Sequence, residues 1–476
     1  MKRRLAIAVL AALTVVLPVG EAARSQPTIQ QAFQTLKRRP GMEPASAVFL
    51  LRDLSTGEVV ASENGSQSMV PASTMKILAT AFATNEFGFD RRWQTRVVLP
   101  EAANGGWATT VAIVGSGDPT LGSAEIDGNP SMPQILASMT AAIQSAGITR
   151  IDRLVADLSA LPVEPIPWSW TYDDFGNYYG ATVSALNIND NLYELTFRPA
   201  GVGQAAGIVG MDPNLPWVSF QNEMRTGPAG SGDKGYIFGV PGANQRWVRG
   251  TIPAGGDFPI YGALPDPPDT LLRLLQARLS AAGIQVDRLA QQTSPVSSSG
   301  TVLWSHDSPR AIDIIRYVHD TSFNLYADAL MLLASQNRSG RSSTTAWSDA
   351  IAIEEQWLES LGADLRGFRL EDGSGLSRRN LVTPKGMTDV LHRVSQQPWW
   401  NGYLGTLEVR NSAGRPNGAV RGKTGFITGV RSLSGVITCR SGRTLAFSVI
   451  VNHFDREFGA VDAGIDDFLD AVWQAY

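Results

Sequence analysis

The sequence predicts an α+β fold of several domains, with an antiparallel sheet and helices accompanied by a β-rich middle. Three observations carry this. The chain has 476 residues, enough for two or three domains and a substantial core. From Leu192 to Gly256 short apolar runs alternate with Gly/Pro turns, the texture of a small all-β module. The last third reads as helices, then three strand-like runs joined by Gly-bearing turns, then a closing helix. Hydrophobic residues make up 43% and charged residues 18%, which suits a globular chain.

The first residues stand apart. Met1-Lys2-Arg3-Arg4 is basic, Leu5 to Val19 is almost wholly apolar, and Gly20-Glu21-Ala22-Ala23 offers small residues for cleavage. This is the pattern of a secretory signal peptide over residues 1–23, too short in its apolar run for a comfortable membrane span. Its loss removes three positive charges and one negative, taking the net charge from −4 to −6. No basic patch stands out, so nucleic acid is not an expected partner, and membrane association is at most peripheral. Cys439 is the single cysteine, which excludes an internal disulfide and a cysteine-based metal site. The expected location is periplasmic or cell-wall associated.

Next comes an amphipathic segment at Ile29–Lys37. Ala45–Leu54 is an apolar strand, Ser55-Thr56-Gly57 a turn, and Glu58–Ser62 a returning strand. Pro71-Ala72-Ser73-Thr74-Met75-Lys76 then opens a helix that runs to Phe87 and stops at Gly88. Gln94–Leu99, Thr109–Val114 and Ile151–Leu158 read as strands, with a helix at Met132–Ala146. Residues 165–180 have no period and are rich in aromatics and paired acids, so they read as a loop. Leu271–Ala282 is an amphipathic helix, and Gln291–Gly300 is the best linker in the chain. Beyond it, helices are expected at Ser308–Asp320, Leu325–Ser335 and Ser342–Leu361, with Thr321–Asn324 as a break and Arg369–Asn380 as a loop. Ala419–Thr424, Arg431–Cys439 and Thr444–His453 are strands, and Ala460–Tyr476 is the final helix.

Three short motifs stand in order on this frame: Ser73-x-x-Lys76 on a helix, Ser322-x-Asn324 in a break between helices, and Lys423-Thr424-Gly425 on a strand. Ser73 and Lys76 share one helix face, within touching distance. A serine hydroxyl is a weak nucleophile until a base takes its proton, and a lysine kept neutral by burial can be that base. The histidines, His306, His319, His392 and His453, have no metal spacing, and no nucleophile-elbow motif supports a Ser-His-Asp triad. No cofactor or metal is expected.

The order and settings of these motifs resemble those of the penicillin-recognising serine enzymes. Further matches at Trp170…Asp174…Tyr178-Tyr179…Ser184-Ala185-Leu186-Asn187, Asp372-Gly373-Ser374-Gly375-Leu376-Ser377-Arg378 and Ser432-Leu433-Ser434-Gly435 resemble the class C low-molecular-mass penicillin-binding proteins, D-alanyl-D-alanine carboxypeptidases and endopeptidases of the penicillin-binding-protein-4 type. The resemblance covers nearly the whole chain after residue 23. It implies Ser73 as nucleophile, Lys76 as base, Ser322 as proton relay and Asn324 as the group that holds Lys76 and the substrate amide. It also implies Lys423 and Thr424 as carboxylate-binding groups and the amides of Ser73 and Phe426, beside Gly425, as the oxyanion site. The implied partners are peptidoglycan stem peptides and β-lactam antibiotics.

Lys76 and Ser322 lie 246 residues apart. With the resemblance, this implies a split penicillin-binding domain (24–88 and 297–476) with two inserted domains, one at 89–183 and 257–296 and a β-rich one at 184–256. An acid on the insert, aligned to Asp174, is implied to bind the free amine of a diaminopimelate-type side chain, with Arg378 as a carboxylate partner. The sequence departs from the family pattern at Phe426, where a hydroxyl residue is usual, at Asp328, where Glu is common, and in the short approach to Gly405. A serine β-lactamase and a penicillin-binding sensor or wall-binding protein without turnover are the competing readings.

Overall fold

A strand near the start of the chain and a strand near its end are neighbours, and the largest sheet is built on that pairing. A computed structural model describes residues 28–161, 164, 166–296, 300–340 and 346–476. The leader over residues 1–23, Pro165 of the aromatic loop, residues 297–299 of the linker and the first residues of the expected helix at Ser342 lie outside the described residues.

Helix α1 (Ile29–Lys37) starts at a capping box, in which Thr28 and Gln31 satisfy each other's backbone N–H, and buries Ile29, Phe33 and Leu36. Strands β1 (Ser46–Asp53) and β2 (Val59–Glu63) form the expected hairpin. A 3-10 turn, Ala72–Met75, then runs straight into α2 (Lys76–Phe87), which is buried on every side from Lys76 to Thr84 and ends at Gly88 with φ 67°. Only a helix in the centre of a protein tolerates such an all-round apolar surface.

The chain continues with β3 (Gln94–Leu99), β4 (Trp107–Val114), α3 (Met132–Ser145) and β5 (Arg150–Asp157). It continues through β6 (Leu192–Arg198), β7 (Gly207–Asp212), β8 (Ser219–Gly227), β9 (Lys234–Phe238), β10 (Gln245–Pro253) and β11 (Phe258–Ala263). These six make two three-stranded sheets, in the orders β8-β10-β9 and β11-β6-β7. The β-rich stretch therefore runs on to Ala263, past Gly256, because β11 pairs with β6. Helix α4 (Pro267–Ala281) and strands β12 (Gln285–Gln292) and β13 (Thr301–Asp307) follow, completing a five-stranded sheet in the order β12-β5-β4-β3-β13.

The linker is thus shorter than its Ser/Thr/Gln composition suggests, since Gln291 and Gln292 end β12. That strand lies at the sheet edge with its residues half-buried or exposed, so its polar composition hides it.

The chain returns with α5 (Ala311–Thr321), α6 (Asn324–Ser339), α7 (Trp347–Ser360), α8 (Pro384–Val394) and α9 (Trp400–Leu404). Helix α8 was not anticipated, although Thr383 caps it and Pro384 occupies its first position. Strands β14 (Glu408–Val409), β15 (Val420–Ile427), β16 (Val430–Thr438) and β17 (Thr444–Asn452) and helix α10 (Phe458–Ala475) close the chain. The six-stranded antiparallel sheet has the order β14-β15-β16-β17-β1-β2, with Ser46 opposite Asn452 and Asp53 opposite Leu445.

Both faces of this sheet are covered, which is why β1 and β17 read as continuous apolar runs rather than alternating ones. Val48 and Ile450 face the core shared with α2 and α6. Phe49 and Val449 face α1 and α10, where Phe468 sits 4.8 Å from Phe49 and 5.4 Å from Phe33, centroid to centroid. Among the described residues no helix is long and apolar enough to cross a membrane. Truncating Phe468 to Ala empties the junction that ties the terminal helices to the sheet. The expected cost is about 3–5 kcal/mol, read as a lower urea midpoint for the unfolding of this sheet.

Candidate active site

Ser73 sits not on the α-helix itself but in the 3-10 turn that precedes it. In a 3-10 turn, residues three apart eclipse one another. Ser73 Oγ and Lys76 Nζ are accordingly 2.8 Å apart. As the second residue of the turn, Ser73 has an N–H with no partner inside it. Two glycines crowd this backbone. A Cβ on Gly375 (φ 82°) would lie 2.0 Å from the Ala72 carbonyl oxygen, and one on Gly425 would lie 2.5 Å from that of Pro71 and 3.1 Å from Ser73 N. Ala72 itself has φ 48°, a left-handed conformation that a non-glycine residue adopts only under local constraint. The turn that carries Ser73 is clamped between the loop that carries Gly375 and β15.

Lys76 is completely buried. Besides Ser73, its amine contacts Asn324 Oδ1 at 2.6 Å and the Ser374 carbonyl oxygen at 2.6 Å. Burial, then repulsion from Lys423, hold its pKa well below the ordinary lysine value, against the opposing pull of Asp328 and Asp372. A neutral amine has two N–H bonds and one lone pair. The two carbonyl-type oxygens take the N–H bonds, and the lone pair is left for the Ser73 hydroxyl proton.

Asn324 is the first residue of α6, and its Nδ2 donates to the Tyr179 carbonyl oxygen at 2.9 Å. Ser322, with φ 63°, caps the end of α5. That left-handed residue makes the break between the helices and turns the Ser322 side chain to the cavity, where its hydroxyl has no hydrogen-bond partner among the described residues.

Lys423, on β15, is 1% exposed and makes no hydrogen bond or ion pair among the described residues. Burial and Arg431 lower its pKa to about 8, while Glu408 and Asp320 support the charge. A nearly buried ammonium without a counter-ion is a ready seat for an anion.

The cavity above Ser73 has a volume of about 410 Å³. Its lining includes Asp174, Ser322, Asn324, Arg378, Thr424 and Phe426. Lys76 lies beneath it, and Lys423 and Gly425 flank Thr424 on the strand, so all ten expected residues converge. Asp174 is 4% exposed, and its Oδ2 accepts from the Thr171 N–H at 3.0 Å and Oγ1 at 2.8 Å, leaving Oδ1 without a hydrogen bond among the described residues. Burial raises its pKa, and Arg378 opposes that rise. Phe426 is 53% exposed at the rim, packed edge-on against Phe458 at 4.7 Å.

Several functional groups had no assigned role in the sequence reading. Asp372 is buried and accepts from four donors: Gly375 N–H, Ser377 N–H, Asn380 Nδ2 and Trp170 Nε1, at 2.7–2.8 Å. Asp328, also buried, accepts from Gly373 N–H at 2.9 Å, and burial and Asp372 push its pKa well up. Behind α2, His319 links Thr80 and Thr406 at 3.0 Å on either ring nitrogen, and burial holds its pKa down to about 3, so the ring is neutral. Motif spacing marked Trp170 and Asp372 but not their contacts, and nothing in the sequence singles out His319.

Comparison with known proteins shows the family and the fold. The sequence model of the D-Ala-D-Ala carboxypeptidase 3 (S13) family matches residues 29–472. The chain belongs to that family, the penicillin-binding-protein-4-type class C penicillin-binding proteins, carboxypeptidase hydrolases of the cell wall. It is 29% identical over 450 residues to a D-alanyl-D-alanine carboxypeptidase of Actinomadura sp. (strain R39), covering 89% of this chain and 81% of that one. It is 24% identical over 438 residues to the D-alanyl-D-alanine carboxypeptidase DacB of Haemophilus influenzae, covering 87% of this chain and 86% of the relative. The crystal structure of penicillin binding protein 4 (dacB) from Haemophilus influenzae superposes with a TM-score of 0.78 at 22% identity, over 94% of this chain and 98% of that one. The fold is therefore the multidomain penicillin-recognising one.

Lys423 gives the site a pH signature. It is charged below about 8 and loses its charge above. Binding of a small carboxylate such as N-acetyl-D-alanine, followed by calorimetry, should hold steady to pH 8. Above that it should weaken by up to about tenfold per unit. In Lys423→Met the affinity should be low throughout and without this inflection.

Proposed function

We propose that this chain is an exported serine D-alanyl-D-alanine carboxypeptidase and endopeptidase that cleaves peptidoglycan stem peptides through an acyl-enzyme on Ser73, and that penicillins are taken by the same serine. The observation that carries this reading is the 2.8 Å contact between Ser73 Oγ and the amine of a fully buried lysine. The basic and apolar leader supports export.

In the proposed reaction Ser73 Oγ attacks the carbonyl carbon of the penultimate D-alanine while its proton passes to Lys76 Nζ. The oxyanion settles against the amides of Ser73 and Phe426, a contribution worth about 3–4 kcal/mol per donor in other serine hydrolases. As the C–N bond breaks, the leaving amine receives the proton from Lys76 through the Ser322 hydroxyl. Lys423 and Thr424 hold the terminal carboxylate. A water, deprotonated by Lys76, then attacks the ester carbonyl and returns Ser73 to its hydroxyl form. In the endopeptidase reaction the leaving amine belongs to a neighbouring stem peptide.

The free Oδ1 of Asp174 suits the ammonium of a diaminopimelate side chain, and Arg378 suits the adjoining carboxylate. Asp174 is the single carboxylate among the described lining residues, and its Oδ2 is already engaged by Thr171. It is poorly disposed to activate water against a penicilloyl ester, and the amine freed by opening a β-lactam stays tethered to the acyl group, in the way of the water that Lys76 activates, which favours long-lived acylation over β-lactamase turnover.

A fluorescent penicillin should label the protein with one adduct, seen by intact-protein mass spectrometry. Ser73→Ala should abolish it, and an adduct that survives in Ser73→Ala rules out the assignment. Asp174→Asn should lower kcat/KM for diaminopimelate-bearing pentapeptides by about 30-fold, equivalent to about 2 kcal/mol for one partner of a buried charge contact. Penicillin acylation should change far less, and equal losses in the two assays would remove Asp174 from substrate recognition.

A further inference from the structure

Both oxygens that receive the N–H bonds of Lys76 are held in place by the inserted segment. On one side, the Tyr179 carbonyl oxygen takes Nδ2 of Asn324 at 2.9 Å and so fixes which end of that amide faces the lysine. With the amide reversed, Lys76 would meet a second donor instead of Oδ1. On the other side, the Trp170 indole N–H reaches Asp372 Oδ2 at 2.8 Å. Asp372 in turn gathers the N–H groups of Gly375 and Ser377, each at 2.7 Å, and thereby sets the turn whose Ser374 carbonyl oxygen contacts Lys76 at 2.6 Å. Trp170 is 6% exposed and Asp372 fully buried, so water does not substitute for the lost donor at no cost.

We infer that the segment from Trp170 to Tyr179 is a two-point clamp on the catalytic base, with Trp170 a positioning residue that acts on Lys76 through Asp372 and Ser374. The same short segment carries Asp174, whose carboxylate is capped by Thr171, the residue after Trp170. One loop therefore both faces the substrate and sets the base. The inference rests on the reading of Lys76 as base.

The charged and titratable groups around Lys76 define how the clamp shows itself in pH dependence. Lys423 faces it from β15, Asp328 from α6, Asp372 from the loop and neutral His319 from α5. The two acids favour the ammonium form and Lys423 opposes it. Removing a donor from Asp372 leaves its negative charge less neutralised, which strengthens the ammonium form and moves the acid limb of activity to higher pH.

The test is Trp170→Phe in the full-length protein, which keeps a ring and deletes the N–H. Rates of acylation by a fluorescent penicillin, taken against concentration and pH, separate the limiting rate from half-saturation. The limiting rate should fall about tenfold, the loss expected for a hydrogen bond to a charged group, with half-saturation unchanged. The acid limb should rise by about half a pH unit. If Trp170→Phe does not fold, 3-benzothienylalanine placed at position 170 alone keeps the bicyclic volume without the N–H and serves the same measurement. An acid limb at the wild-type pH in the folded variant overturns the clamp, even if the melting temperature falls. A wild-type protein that is never acylated overturns both the clamp and the reaction proposed above.

Discussion

The structure depends on one amine kept out of water. Lys76 has no solvent contact and lies within 2.8 Å of oxygens from its own turn, from the start of α6 and from the loop at Ser374. A buried ammonium is costly, and the cheapest relief is to release its proton. Burial and Lys423 push the same way, while Asp328 and Asp372 limit the fall. The lowered pKa of this amine is thus produced by where the lysine is put. It is put there by three chain regions that meet only because β1 pairs with β17 and α2 packs on α6.

Electrostatic roles around Ser73 are divided. Lys423 keeps its charge up to about pH 8 and lacks a counter-ion among the described residues, so it offers a seat for a carboxylate and repels a second charge on Lys76. His319 stays neutral and links Thr80 on α2 to Thr406 without adding charge beneath the site. Asp372, though buried, accepts from four donors. Gly375 and Gly425 let backbone approach backbone around Ser73, where any side chain would force the turn apart.

Local chemistry was legible in the sequence and contacts through backbone were not. Ser73 and Lys76 are one turn apart, so their contact follows from spacing, whether the turn is α or 3-10. The strands that are buried on both faces, β1 and β17, announce themselves as apolar runs. Edge strand β12 does not, because half-exposed Gln and Arg residues look like linker. Asn324 and Lys423 were found through motif resemblance, since they lie hundreds of residues from Ser73. The carbonyl oxygens of Tyr179 and Ser374 are groups every residue possesses, so no residue type marks them. Phe426 departs from the family pattern, and its ring lies at the rim against Phe458 while the strand that carries it still flanks Ser73.

The central claim is the protonation state of Lys76 in the free protein. A neutron structure of perdeuterated protein crystals at pH 9 observes it directly. Two deuterons should be seen on Nζ, aimed at Asn324 Oδ1 and Ser374 O, with the Ser73 deuteron directed at the nitrogen. Three deuterons on Nζ, one of them directed at Ser73 Oγ, would contradict the account.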